Sequence, residues 1–183
     1  MTFDQLAEII RQPVEYPSKE HCPFMKLAVF GDRRTDLRSL RHNANVISIS
    51  GVEGDYDGEQ VPLSEAAALL RAAGVKAILY TSPSHRPEAP RWRVLVPLSR
   101  PASPDARRAL ARVNGVLGGI LSKESFTLSQ SYYYGRVAGR DSYRGCNCAT
   151  VRAALAAATG LLRRRRAARR RNGPLERTGL RGD

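Results

Sequence analysis

A mixed α/β fold is what this sequence predicts, and three observations carry the prediction. The β-branched run NVISIS (45–50), the amphipathic segment Leu63 to Gly74 and the apolar run VKAILYT (75–81) follow one another as in a βαβ unit. A further strand follows at residues 91–98, with Trp92, Val94, Val96 and Leu98 on one face and Arg91, Arg93 and Leu95 on the other. Finally, 42% hydrophobic residues in a chain of 183 suffice for a real core, so one domain is expected rather than a disordered chain.

The elements take the following order. Thr2 and Gln5 form a capping box for a short helix with Phe3, Leu6, Ile9 and Ile10 on its apolar side, ended by Pro13 and Pro17. KLAVF (26–30) reads as a strand. In the basic segment from Gly31 to Asn45, a helical middle would align Arg34, Arg38 and Arg41. Ser64 is the expected N-cap of the helix that Gly74 closes, and Ser103 with Pro104 opens a helix bearing Ala106, Leu110, Val113 and Leu117. Gly118 and Gly119 stop it. Three prolines make residues 83–90 a stiff loop, and residues 120–137 read as a polar loop entering an aromatic strand. From Thr150 an alanine-rich helix runs into RRRRAARRR, so the expected division is a core over residues 1–148 and a basic tail over 149–183.

The net charge is +13. Leu161 to Asp183 holds nine arginines against Glu176 and Asp183, or +7, which leaves +6 for the rest. Both portions are basic, so a polyanion is the expected partner. No apolar run approaches the roughly 18 residues of a membrane span, and MTFDQLAEII lacks a signal peptide's basic start and apolar core, so a cytoplasmic protein with no membrane partner is expected. Cys22, Cys146 and Cys148 make neither a disulfide framework nor a usual zinc spacing.

Against this basic background stands VEGDYDGE (52–59), with four carboxylates. In an extended chain Glu53, Asp55 and Asp57 share one face and repel, unless a cation such as Mg²⁺ or Mn²⁺ sits among them. A solvated acidic turn at Asp57-Gly58 is the other reading. His85 follows the second strand of the βαβ unit, between Ser84 and Arg86, with Arg91 and Arg93 close behind. It is either a surface histidine or part of a crevice suited to phosphoryl or nucleotidyl transfer, where cations hold a triphosphate. Arg33, Arg34 and Arg38 are either solvated surface or phosphate contacts. Among Tyr132, Tyr133 and Tyr134, an exposed ring could stack on a base.

These residues resemble the archaeo-eukaryotic primase superfamily, specifically the small primase-polymerase domains of plasmids and phages, over about residues 45 to 137. GDYDGE is similar to a first motif, a hydrophobic strand ending in Asp-x-Asp, and TSPSHRPEAPRWRVLVPLSR is similar to a second motif with its following strand. The helix LSEAAALLRAAG between them is also similar. The resemblance implies an α/β unit beside an RRM-like antiparallel or mixed sheet, with the site in the cleft between them. It also implies metal ligands at Asp55 and Asp57, and contacts to nucleotide phosphates from His85 with Ser84, Arg91 and Arg93. A third motif, a metal-binding aspartate before Ser-Arg and an aromatic strand, is changed. Ser129-Gln130 stands nearest to Ser-Arg, and Glu124 is the only carboxylate in that loop, so the third ligand is Glu124 or else Glu53 or Glu59.

The function these readings imply is template-directed nucleotidyl transfer on DNA by two metals, in replication of a mobile element. Single-stranded DNA and nucleoside triphosphates are the expected partners, with a separate helicase to open the duplex. Arg33, Arg34 and Arg38, Tyr132 and Tyr134, and the tail arginines Arg163, Arg164, Arg165, Arg166, Arg169, Arg170 and Arg171 would line the nucleic-acid path. A non-catalytic DNA-binding initiator or accessory protein and a metal-dependent nuclease are the alternatives.

Overall fold

The computed structural model describes residues 1–139 and 145–148. The alanine-rich segment and all seven tail arginines expected to touch nucleic acid lie outside the described residues. Among the described residues, no helix is long and apolar enough to cross a membrane.

Nine strands and three α-helices make up the described chain. The strands are β1 (Glu15–Tyr16), β2 (Phe24–Met25), β3 (Ala28–Phe30), β4 (Val46–Tyr56), β5 (Ala77–Thr81), β6 (Trp92–Ala102), β7 (Tyr132–Tyr133), β8 (Arg136–Val137) and β9 (Gly145–Cys148). The helices are α1 (Phe3–Arg11), α2 (Leu63–Ala72) and α3 (Ala109–Val116).

The architecture is the expected mixed α/β one, built on a five-stranded sheet in the order β3-β4-β6-β5-β9. Both β4 and β5 pair antiparallel with β6, so they run parallel to each other with β6 inserted between them. The β4-α2-β5 unit is therefore a split βαβ. Its carboxyl ends still lie on one side of the sheet, next to the start of β6. Register shifts between Val29 and Phe30 and between Ile49 and Gly51 interrupt the ladders of β4 and add local twist.

Strand alternation divides the core in two. Val52, Tyr56, Trp92, Val94 and Leu79 face α2 and α3, where they meet Ala66, Leu70, Leu110 and Leu117. Ile78, Tyr80 and Leu95 face the other way and meet Leu6, Ala7 and Ile10 of α1. At roughly 25 cal/mol per Å² of apolar surface removed from water, this two-sided burial is the main stabilising term. Helix α1 starts with the expected capping box between Thr2 and Gln5.

Three local expectations are corrected. Pro62, not Ser64, occupies the N-cap of α2, and Gly74 takes the left-handed position after it at φ 67°. Residues 104–108 form a 3₁₀ turn before α3 begins at Ala109. The arginine segment 31–42 is a loop and not a helix. Asn45 is the physical reason: its side chain donates to the carbonyls of Gly31 and Leu40 and accepts from the Arg33 amide, taking over bonds a helix would make internally. Arg38 sits in the left-handed region at φ 58°, which also interrupts a helix.

Two short ladders complete the fold. β1 pairs with β8, and β2 pairs with β7, so residues 15–25 are tied to residues 132–137. Together they form a wall beside the carboxyl end of β4.

Candidate active site

The site is built on the last turn of β4. Val52, Gly54 and Tyr56 face the larger core, which sends Glu53 and Asp55 to the opposite face, as the strand period demands. Two glycines make the path possible. A Cβ on Gly54 would come within 2.6 Å of the Leu121 side chain, and one on Gly58 within 2.7 Å of the Tyr56 ring. Beyond Gly58 the chain wraps over that ring, whose hydroxyl accepts from the amides of Gln60 and Val61. Tyr56 itself stacks on Trp92 at 4.7 Å, and Trp92 donates to the Val61 carbonyl. The turn that projects Asp57 is thus fixed to the core by one stacked aromatic pair.

Asp55 is clamped by its own backbone. Its amide donates to Ser125 Oγ at 2.8 Å, and its carbonyl accepts from the Ser122 amide at 2.9 Å. The loop 122–125 is thereby held against the end of β4, with Ser125 fully buried. Glu124, between these two contacts, reaches the mouth of the same cleft.

The cleft has a volume of about 420 Å³. Asp55 and Asp57 lie on one side with Glu124, while Ser84, Arg91 and Arg93 approach from the β5–β6 connection. Arg93 stands directly across the ladder from Asp55 and donates from Nε to Asp55 Oδ1 at 2.9 Å. It also donates to the Tyr133 carbonyl and lies 5.1 Å above the Tyr132 ring. With its side chain 8% exposed, Arg93 is a fixed positive charge that positions Asp55. Arg91 is more open and bridges Glu59, with Asp57 at 3.9 Å. Its backbone amide donates to His85 Nδ1 at 3.1 Å, which places a neutral ring's proton on Nε2.

Asp55 titrates high, at about 6, because burial disfavours its charge and Asp57 adds a second carboxylate within hydrogen-bonding reach; Arg93 only partly offsets them.

Several expected site residues sit elsewhere. Glu53 is fully buried, bound by Lys26 at 2.7 Å, by the Leu27 amide and by Arg107, so its oxygens are already taken and it offers nothing to the cleft. Glu59 is paired with Arg91 at the rim. Arg33, Arg34 and Arg38 are on the outer loop, where Arg34 donates to the Arg38 carbonyl, and Arg41 is the arginine of that segment that lines the cleft. Tyr132 does line the cleft but is only 2% exposed, while Tyr134 packs on the α1 side of the core. His85 stands behind Arg91 and is not among the cleft-lining residues. Tyr133, one of the three candidate tyrosines, lines the cleft, and Lys19 and Phe24 line it without having been expected there. The signal for them was weak: Phe24 sits between Pro23 and a buried methionine, and only its pairing with Tyr133 brings it to the cleft.

Among the described residues, no three His, Cys, Asp or Glu side chains come together as a ready metal cluster. No family model and no curated protein matches the sequence. Among solved structures, the chain is similar to the AEP domain of the primase-polymerase (PrimPol) of cyanophage S-2L. The identity is 14% over 88% of this chain and 77% of that one, with a TM-score of 0.46. A likeness at this identity and score carries no residue role across.

Proposed function

We propose that the cleft performs metal-dependent nucleotidyl transfer on a DNA template, with Asp55 and Asp57 at its centre. The observation that carries this reading is the acidic pair itself: two neighbouring carboxylates at the end of β4, Asp55 pushed up to about 6 by burial, facing a cleft rimmed by Arg91 and Ser84. The donor set of Asp55 and Asp57 is all oxygen, which suits Mg²⁺ or Mn²⁺. Asp55 and Asp57 would hold the cation, with exposed Glu124 as the third carboxylate. Such an ion would activate an attacking oxygen and neutralise charge on the phosphate being transferred.

The chain's own groups do the rest. Arg93 keeps Asp55 in place and oriented across the ladder. Arg91, more open than Arg93, can exchange Glu59 for a triphosphate oxygen through charge-assisted hydrogen bonds. His85 fixes the Arg91 backbone and so acts as a positioning residue rather than a phosphate contact. The basic tail, with seven arginines in nine positions, would raise affinity for any strand without choosing a sequence.

A non-catalytic DNA-binding role is the second reading, favoured because Arg93 already engages Asp55 and, among the described residues, no group of three ligands stands ready for a metal. One experiment separates them. The protein is incubated with single-stranded template, labelled nucleotides and Mg²⁺ or Mn²⁺, without primer. Extended product supports transfer, a shortened template points to a nuclease, and binding without either supports the binding module.

A further inference from the structure

Phe24 is a large apolar residue left 52% exposed, whereas Tyr56, Tyr80, Trp92 and Tyr132 on the strands are buried. Its position follows from the two-residue period of β2: Met25 turns into the core at 7% exposure, so Phe24 must turn out. Directly across the ladder is Tyr133, and the two rings stack with centroids 4.3 Å apart and planes at 28°. The guanidinium of Arg41 lies 4.7 Å from the Phe24 ring centre, and Lys19 Nζ lies 5.7 Å from that of Tyr133. All four residues line the same cleft as Asp55 and Asp57, on the wall formed by the short ladders.

We propose that Phe24 and Tyr133, with Arg41 and Lys19, form a stacking platform for an unpaired base of a single DNA strand. This rests on the reading that the cleft takes a nucleic-acid strand, and it names where that strand is held. A base would take the place of Arg41 over Phe24 and release that guanidinium to a neighbouring phosphate, while Lys19 over Tyr133 meets the next one. The charge of the cleft selects a nucleic-acid strand over a peptide: Lys19 and Arg41 stand over the two rings, and with Arg91 and Arg93 the lining holds four cations against the carboxylates of Asp55, Asp57 and Glu124. A strand following the basic wall would run past the acidic pair without entering it.

The test uses the full chain, without metal or nucleotides, and compares two labelled probes by fluorescence anisotropy: an oligodeoxynucleotide and a backbone of the same length bearing only abasic sites. Phe24→Ala is expected to weaken oligonucleotide binding by roughly tenfold or more, with the melting temperature lowered by only a few degrees because the ring is half-exposed and loses one stacked partner. Phe24→Trp is expected to restore it. On the abasic probe, wild type and Phe24→Ala should bind alike, since the tail and other cations act on phosphates in both. Equal affinity of wild type and Phe24→Ala for the oligonucleotide overturns the platform. An equal loss on the abasic probe also overturns it, by showing that the ring acts without a base. Because no metal is present, failure of nucleotide incorporation would remove the transfer reading and leave this outcome standing.

Discussion

Glu53 and Asp55 lie two residues apart on the same face of the same strand, yet they have opposite fates. Glu53 is fully buried and over-supplied with partners: Lys26, Arg107 and the Leu27 amide share its two oxygens. Asp55 faces the cleft with one cation, Arg93, and a competing carboxylate at Asp57. Burial lowers the tendency of Lys26 to stay charged, and Glu53 opposes that, so the inner cluster holds itself together. The outer pair has Arg93 and Arg91, but Arg91 is shared with Glu59, so three carboxylates stand against two arginines. Compensated charge makes structure, and uncompensated charge makes a site.

The largest expected effect comes from breaking the compensated side. Glu53→Gln leaves Lys26 and Arg107 buried without their carboxylate, and should cost about 3–5 kcal/mol in chemical denaturation. A loss below about 1 kcal/mol would mean that the inner cluster contributes little to folding.

Breaking the uncompensated side should spare the fold and remove the chemistry. Asp57→Asn keeps the side-chain volume at an exposed position, so stability should hold. Nucleotide incorporation should fall by about two orders of magnitude or more. Strand binding should stay level or tighten, since a negative charge has left the cleft. Incorporation by the variant at the wild-type rate would end the enzyme reading.

The pH dependence sharpens the contrast further. The Asp55 carboxyl titrates at about 6 in the folded chain, above the ordinary 3.8. The folded state therefore binds this proton more tightly than the unfolded state. The stabilising contribution grows as pH falls through 6 and is complete near 4. Without metal, stability relative to Asp55→Asn should rise by at most about 2 kcal/mol between pH 7.5 and 4.5. With Mg²⁺ or Mn²⁺ the trend should weaken or reverse, because cation and proton compete for the same oxygens. Denaturation midpoints at the two pH values, with and without metal, measure both.

Glu124→Gln is the mildest test. At an exposed site it should leave stability within about 0.5 kcal/mol of wild type. Incorporation should fall by about 10- to 100-fold if Glu124 supports the metal. Near-normal turnover would move the third-carboxylate role to Glu59, since Glu53 has no free oxygen to offer.

The sequence made some of this legible and hid the rest for physical reasons. Alternation along β6 was readable because Trp92, Val94 and Val96 obey a local period. The βαβ succession was readable too, but the insertion of β6 between β4 and β5 was not, since it depends on a strand that comes later in the chain. Asp55 and Asp57 stood out as a local pattern, whereas the burial of Glu53 rests on Lys26 and Arg107, far away in sequence. The spacing of Arg34, Arg38 and Arg41 suggested a helix because nothing local reveals that Asn45 would capture the backbone. Ser125 carried no signal at all, although its hydroxyl holds the Asp55 amide across seventy residues of chain.

The pairing of Phe24 with Tyr133 and of Glu15 with Arg136 has a consequence for how the molecule comes into being. Each ladder is only two residues long and joins segments more than a hundred residues apart, so each closes a large loop for few bonds. Such contacts form late, after the β4–β6 and β5–β6 ladders have given them a surface to land on. On the ribosome, most of the domain must emerge before one wall of the cleft exists. The growing chain would carry its acidic pair well ahead of the wall that faces it, and the cleft would be completed only near the end of the domain's synthesis.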